Sequence, residues 1–242
     1  MSRLRSTRFW LVTLAAVAGL GATLALGAWQ WGRAQERLAV QASIEARKAL
    51  PPVGGQALFG GDRLPGLIYR PVVLRGTWVG QYTVFLDNRQ MNGKAGFYIV
   101  TPLRLEGSAA AVLVERGWVQ RNFADREKLP PVSTPQGVIE VRGRIAPPPA
   151  KLYEFAGTPF GPIRQNLDLA QWRTETGLAL LDVAVQQIGQ PSDGLLREWP
   201  EAASGAEKNY GYAFQWWALS GLIAILYVWF QFLAPRRKPV HA

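Results

Sequence analysis

The distribution of hydrophobic residues along the chain is dominated by two long segments without a charged residue, at 9–29 and 212–233. At about 1.5 Å of rise per residue, each segment forms a helix that crosses roughly 30 Å of hydrocarbon. Aromatic residues lie at both ends of each segment, as is typical of residues at a membrane interface. The pattern therefore predicts two membrane-spanning helices.

The residues between the two segments have different periodicities. Residues 33–50 are rich in helix-forming residues and predict a helix that continues the first segment until Pro51 and Pro52 end it. Segments rich in β-branched and aromatic residues follow, separated by Gly, Pro or Asn, and predict strands at 69–78, 81–87, 96–105, 111–119, 138–145 and 178–187. A short helix is predicted to begin near Asn166 or Asp168. Because no helical crossover fits between most of these strands, we expect antiparallel hairpins in a sheet or open barrel.

The distribution of charge predicts the orientation of the two helices. All 17 carboxylates lie between them, whereas the charged residues of the tails are all basic: Arg3, Arg5, Arg8, Arg236, Arg237 and Lys238. Short basic tails stay in the cytoplasm. The predicted fold is therefore α+β, with two transmembrane helices flanking a mainly antiparallel-β extracytoplasmic domain. The predicted segments are a tail at 1–8, a helix at 9–29, a periplasmic domain at 30–211, a helix at 212–233 and a tail at 234–242.

The first apolar segment has an alternative interpretation as a cleaved signal peptide, because Ala25 to Gly27 loosely resembles a cleavage site. Its apolar stretch is longer than the usual signal core, which favours an uncleaved anchor. Only eight residues precede it, which leaves no room for a mitochondrial transit peptide. We therefore expect a bacterial plasma membrane protein with both termini in the cytoplasm.

The composition excludes several classes of function. The chain has no cysteine, and its single histidine, His241, is next to the last residue. Thiol catalysis, a Ser-His-Asp triad and a His-ligated metal in the central domain are therefore excluded. The net charge of +10 comes mainly from the tails, so we expect no nucleic-acid partner. Pairs of carboxylates could serve a hydrolase, but none lies in a recognisable motif.

Polar and small residues at the ends of the apolar segments are candidates for a functional surface. Trp29 and Arg33 share one helix face, where a guanidinium can lie against an indole, although an interfacial anchor has the same pattern. Gln215 lies inside the second segment and needs a partner: Gln30, another subunit or a ligand. A stripe of small residues also predicts close approach of another helix, the second segment or a membrane partner. It comprises Ala15, Gly19, Thr23 and Gly27.

These helix ends and the strand motifs together resemble the surfeit locus protein 1 family of cytochrome c oxidase assembly factors. The resemblance covers nearly the whole chain and rests on the order of many short motifs. They are Gly27-x-Trp29-Gln30-x-x-Arg33, Tyr69-Arg-Pro-Val-Val-Leu-Arg-Gly-Thr-Trp78, Leu86-Asp-Asn-Arg89, Gly93, Gly96-Phe-Tyr-Ile-Val-Thr-Pro-Leu103, Val112-Leu-Val-Glu-Arg-Gly-Trp118, Val141-Arg-Gly143, Gln165-Asn-Leu-Asp168 and Gly211-Tyr-Ala-Phe-Gln215-Trp216.

The resemblance implies a non-catalytic chaperone of the respiratory membrane that assists insertion of haem a into oxidase subunit I. It implies oxidase subunit I and haem a synthase as partners, besides membrane lipid. The residues it implies for contact with transient haem a, or with a partner, are Trp29, Gln30, Arg33, Tyr212, Gln215 and Trp216. Aromatic faces pack against a porphyrin, and an arginine pairs with a propionate.

One position departs from the family pattern. Many members have a histidine shortly before the second apolar segment, where this chain has Asn209. Asparagine is not a haem ligand. Either Tyr210 or Tyr212 ligates the iron, or haem is held without histidine ligation, or no haem is bound, and we favour the last two interpretations. The alternative function is a membrane-tethered periplasmic scaffold or interaction protein unrelated to haem.

The predicted topology is tested with alkaline phosphatase, which is active only outside the cytoplasm. We expect a fusion after Arg126 to be active and a fusion after Arg237 to be inactive, because the basic tails keep both termini in the cytoplasm. Activity of each fusion is measured relative to its abundance. The reverse pattern would contradict the topology.

Overall fold

The computed structural model describes residues 7–122, 124, 129–150, 152, 161–191, 194–200 and 204–234. The chain divides into two compact units, one formed by Met1–Ser43 with Ala202–Ala242 and the other by Ile44–Glu201. The first unit contains two long apolar helices and the second is rich in strands. The α+β class is thus confirmed. The basic residues of the tails other than Arg8, and also Arg126 and His241, lie outside the described residues.

The first unit contains helix α1, Thr7–Lys48, as far as Ser43, and helix α4, Ala206–Val228, which continues as a π-helical turn at Trp229–Leu233. Both helices are long and apolar enough to cross a membrane by length and composition. The helix predicted at 33–50 is confirmed as the continuation of α1, which is uninterrupted for 42 residues. Proline cannot continue a helix without losing a hydrogen bond, so Pro51 and Pro52 stop it.

The two helices run antiparallel along each other. Residues later in α1 contact residues earlier in α4: the hydroxyls of Thr13 and Tyr227 are 2.9 Å apart, whereas Gln35 bonds Tyr210. Buried or half-buried positions at 13, 16, 20, 23, 27, 30 and 34 in α1 have a mean spacing of 3.5 residues, and those at 206, 213, 220 and 227 in α4 are seven residues apart. This spacing is typical of left-handed helix pairs.

The predicted stripe of small residues faces α4 at three of its four positions. Gly27 is covered by the indole of Trp217, so that any Cβ at this position would overlap the ring. A Cβ at Gly19 would make an ordinary contact of 3.6 Å with Ile223. Thr23 is buried, and its hydroxyl donates to carbonyl oxygens of its own helix. Ala15 is exposed, so the prediction was wrong for this residue, because the 3.5-residue spacing rotates it away from α4.

The second unit is built around a closed barrel of five strands. The long strand β4 pairs with β5 along most of its length, with β3 at its beginning and with β2 at its end. The pairing of β4 with β2 closes the order β2-β6-β8-β5-β4. The elements are β1 Val53–Gly54, α2 Leu64–Leu67, β2 Pro71–Trp78, β3 Val84–Met91, β4 Lys94–Leu105, β5 Ala110–Gln120, β6 Ile139–Ala146, β7 Ile163–Arg164, α3 Leu169–Thr176 and β8 Ala179–Gln187.

Side chains that alternate along the strands fill the barrel and cover one of its outer faces. The interior receives apolar side chains from all five barrel strands, among them Leu74, Leu103 and Val114. An outer layer on β3, β4, β5 and β8 packs under α3 through the buried Trp172. The carboxylate of Asp168 caps α3 by accepting from the amides of Ala170 and Gln171, which confirms the cap predicted there.

All six predicted strands are present, but their pairing is not entirely antiparallel. Strand β8 pairs antiparallel with β6 and parallel with β5, and the short strands β1 and β7 also pair in parallel. The expectation of antiparallel hairpins was wrong for β8. The chain between β5 and β8 passes through β6 and α3, which provides the long connection that a parallel pair needs.

The contact between Gly27 and Trp217 predicts that Gly27→Leu will separate the two helices, since the added side chain has no space beneath the indole. Because the chain has no cysteine, the pair Thr13→Cys and Tyr227→Cys reports the separation by cross-linking with a short bis-maleimide in membranes. We expect Gly27→Leu to lower the cross-linked fraction several-fold.

The control is Gly21→Leu, because a Cβ at Gly21 meets nothing within 4 Å. It should leave the cross-linked fraction unchanged. An equal loss in both variants, or in neither, would contradict the assignment of Gly27 as the point of closest approach.

Candidate functional site

Hydrogen bonds between polar side chains connect α1 with α4 beyond the C-terminal end of the first apolar segment. The Asn209 side-chain amide donates to Gln30 Oε1 at 2.6 Å, and Gln35 Nε2 donates to the Tyr210 hydroxyl at 2.9 Å. Arg37 donates to the carbonyl oxygen of Gly205, the residue before α4, at 3.2 Å. These bonds hold the start of α4 in register with α1.

Aromatic rings cover one side of the same region. The Trp31 ring lies 4.7 Å from Tyr210 and 5.8 Å from Trp217, measured between ring centroids. Trp217 in turn covers Gly27. Together with Gln35, these three rings form what we call the aromatic side of the helix pair.

The residues expected to contact haem or a partner lie mostly on the opposite side. Residues that are two positions apart in an α-helix are rotated by about 200° relative to each other, so Trp29 and Arg33 face away from Trp31. The same rotation separates Tyr212 from Tyr210. Trp29 and Tyr212 are 58% and 53% exposed, and Arg33 and Gln215 are also exposed, whereas Gln30 and Trp216 are half-buried. We call these six residues the open side: Trp29, Gln30, Arg33, Tyr212, Gln215 and Trp216.

Two of the expected contacts within this group are not formed. Arg33 pairs with Glu36 at 3.2 Å across an exposed turn, and among the described residues the cation–π contacts do not include Trp29. An exposed pair of this kind contributes little to stability, so Arg33 is free to exchange Glu36 for another anion. Gln30 bonds Asn209 rather than Gln215, which has no hydrogen-bonding partner among the described residues.

The open side has aromatic faces and a guanidinium that suit the edge of a haem. Trp29 and Tyr212 offer exposed aromatic faces, and Arg33 offers donors for a carboxylate. Asn209 aligns with the histidine of many family members, and its side-chain amide donates a hydrogen bond to Gln30. Among the described residues, no group of three or more His, Cys, Asp or Glu side chains is placed to hold a metal ion. The donor set therefore fits the ring and the propionates.

A second candidate site lies in the strand-rich unit and was missed by the sequence analysis. It is a cavity of about 570 Å³ between the ends of β3, β4, β5 and β8 and the proline-rich segment that follows β6. Its wall includes Arg89, Tyr98, Glu115, Pro148 and Gln186. A lone carboxylate inside the apolar run of β5 was the available sequence signal.

Glu115 lies deep in this cavity and is 3% exposed. Gln186 Nε2 donates to Glu115 Oε2 at 2.9 Å, and Arg144 Nη2 donates to Gln186 Oε1 at 3.0 Å. Burial raises the pKa of Glu115, although the hydrogen bond from Gln186 and the charges of Arg89 and Arg144 oppose this shift. The cavity therefore favours the protonated form of the carboxyl group.

Arg89 lies in the wall of the cavity and is 6% exposed. A β-bulge in β3 precedes it, with Asn88 in the left-handed conformation at a φ of 59°, and bulges of this kind redirect the next side chain. Arg89 Nη2 donates to the carbonyl oxygen of Gln165 at 3.0 Å, and the guanidinium lies 5.9 Å from the centre of the Tyr98 ring. Its Nε has no partner among the described residues.

Comparisons with known proteins agree with the order of the motifs. Residues 17–221 match the model of the SURF1 family, a range that includes the strand-rich unit and most of both helices. The chain is 29% identical to "Cytochrome oxidase assembly protein SHY1" of Saccharomyces cerevisiae over 46% of its length and 29% of that protein. It is 29% identical to "Surfeit locus protein 1" of Homo sapiens over 54% of its length and 45% of that protein.

A third relative, "Surfeit locus protein 1" of Arabidopsis thaliana, is 28% identical over 44% of the chain and 33% of that protein. The matched part of the chain thus spans less than half of the length of each of these curated relatives. The comparisons therefore bear on the family of the chain rather than on the activity of a whole protein.

The buried state of Glu115 predicts a pH-dependent stability. Because its pKa is raised in the folded protein, the folded state binds the proton more tightly than the unfolded chain. Its contribution is full below the unfolded pKa of about 4.3 and is lost as the pH rises through the folded pKa. Glu115→Gln removes this dependence, so its melting temperature relative to the unmodified chain should increase from acid to neutral pH.

The measurement is thermal unfolding of the full chain in detergent, followed by near-ultraviolet circular dichroism. Glu106→Gln is a suitable control, because Glu106 is an exposed carboxylate. A difference between Glu115→Gln and the unmodified chain that does not change with pH would contradict the raised pKa.

Proposed function

The chain belongs to the SURF1 family, and from this premise we propose that it is a membrane-bound assembly factor for a haem-copper terminal oxidase. The resemblance inferred from the order of the motifs is confirmed. The match of the family model to residues 17–221 carries the proposal, supported by a yeast relative named as a cytochrome oxidase assembly protein. The role comes from these relatives.

The proposed location is the plasma membrane of a bacterium, with both termini in the cytoplasm and the strand-rich unit in the periplasm. Two helices long and apolar enough to cross a membrane support the membrane assignment. The basic tails without a carboxylate support the orientation.

The proposed task is to assist the insertion of haem a into oxidase subunit I, without catalysis, in cooperation with haem a synthase. The open side of the helix pair suits this task, because Trp29 and Tyr212 present aromatic faces while Arg33 presents an exchangeable guanidinium. Arg33 would pair with a propionate, and the two aromatic side chains would pack against the ring. Haem a supplies the redox iron of the oxidase. The aromatic side is occupied by contacts within the helix pair, which leaves the open side for a partner.

We predict that Arg33→Ala and Gln215→Leu will each lower the haem a content of the oxidase several-fold while this protein accumulates normally. Both side chains are exposed, and neither holds the helix pair together, so their loss should not affect folding. The measurement is the visible spectrum of isolated membranes, with the abundance of this protein determined by immunoblotting.

Gln35→Ala is the matched control on the aromatic side, where Gln35 bonds only Tyr210. It should leave the haem a content closer to normal than either open-side variant. Normal oxidase spectra in both open-side variants would place the working surface elsewhere. Loss of the protein itself would show that these residues are structural.

A further inference from the structure

The cavity of the strand-rich unit is not used by the proposed role of the helix ends. Several motifs of the family resemblance contribute to it: Arg89 ends one motif, Tyr98 lies in a second and Glu115 in a third. A volume of about 570 Å³ lies within the range of small-molecule sites. We propose that this cavity binds an organic acid, whose carboxylate pairs with Arg89 and whose apolar body packs on the proline-rich wall.

Arg89 is the group that calls for an anion. A guanidinium has five N–H donors, and that of Arg89 makes one hydrogen bond among the described residues, to the carbonyl oxygen of Gln165. No carboxylate of the described part of the chain pairs with it. A buried charge without a partner destabilises the folded protein, and a carboxylate in a bidentate pair with the guanidinium would offset this destabilisation.

A second arginine near the cavity adds to the excess of positive charge. Arg144 also has a buried Nε without a partner among the described residues, and its Nη2 bonds Gln186. Glu115 is the carboxylate that lines the cavity, and burial disfavours its charge. Arg89 and Arg144 thus lie near a single carboxyl group whose charged form is disfavoured by burial, so the balance of charge at the site is positive.

The position of Glu115 selects a carboxylate over a phosphate. A phosphate carries up to two charges and would repel Glu115 if that group ionised. A ligand carboxylate carries one charge and can accept the proton of Glu115 in a hydrogen bond, in the same way as paired carboxyl groups share a proton. Tyr98 faces the same space and adds a hydroxyl.

The opposite wall suits an apolar body. It consists of Ala146, Pro147, Pro148, Pro149 and Leu152. Prolines lack an N–H donor, so this wall does not compete with Arg89 for the acid. Their fixed backbone angles also keep the wall in place before binding, which lowers the entropy that binding must remove.

The test uses the full chain in detergent with benzoate as the probe, because benzoate combines one carboxylate with a flat apolar body. Benzamide has nearly the same shape without the charge, and inorganic phosphate has the charge without the apolar body. We expect saturable binding of benzoate by isothermal titration, with binding of benzamide and phosphate at least about tenfold weaker.

Arg89→Gln should weaken the binding of benzoate by about tenfold or more, since it removes the charged donor group that pairs with the carboxylate. The matched control is Arg104→Gln, an exposed arginine of β4 that should leave the affinity unchanged. Ala150→Trp is a second variant, which fills the cavity from its exposed rim without altering Arg89. It should also weaken the binding if Arg89→Gln does not fold.

The proposal is overturned if benzoate does not bind, if benzamide binds equally well, or if phosphate binds better. It is also overturned if the affinity for benzoate is the same in folded Arg89→Gln and Ala150→Trp as in the unmodified chain. The comparison of probes on the unmodified chain decides the question even where a variant fails to fold. No oxidase is required, so the outcome is independent of the proposed role in assembly.

Discussion

The pairing of β4 with β2 is the constraint on which the strand-rich unit depends. Strand β4 has twelve residues and pairs with β2, β3 and β5, while β2 pairs with β1, β4 and β6. Its first half joins β3 to the sheet, and its last residues close the barrel against β2. Closure lets the inward side chains of five strands form one apolar interior, with Leu74, Leu103 and Val114 among them. It also removes the exposed edges that an open sheet would leave unpaired.

The closed barrel allows polar groups to be buried beside it at a cost that the rest of the unit offsets. Glu115 belongs to the outer face of β5, beyond the apolar layer that packs under α3, and bonds Gln186 of β8. Arg89 follows a bulge in β3 that turns its side chain toward the same cavity. Such groups are expensive to bury and are found where a protein binds a ligand or performs chemistry. Their presence in one cavity therefore points to binding rather than to stability.

In the helix pair, one set of residues packs the two helices together, and another set remains exposed for contact with a partner. Small residues along α1, above all Gly27, allow α4 to approach closely, and the Asn209–Gln30 bond fixes the register. Trp31 and Trp217 complete this contact on the aromatic side. The opposite side keeps Trp29 and Tyr212 exposed, since they contribute nothing to the pairing. An exposed aromatic surface at the end of an apolar helix suits a partner that is itself amphipathic.

The sequence by itself determined the features that depend on neighbours along the chain. The two apolar helices, the positions of six strands and the Asp168 cap follow from local periodicity and composition, and the order of motifs identified the family. The tertiary structure alone decided that Gln30 bonds Asn209, that β8 pairs in parallel with β5, and that Arg89 and Glu115 share a cavity. Each of these contacts joins residues that are far apart in the chain. Competition among packed elements for burial and hydrogen bonds decides which distant groups meet, and a local sequence pattern contains no information about that competition.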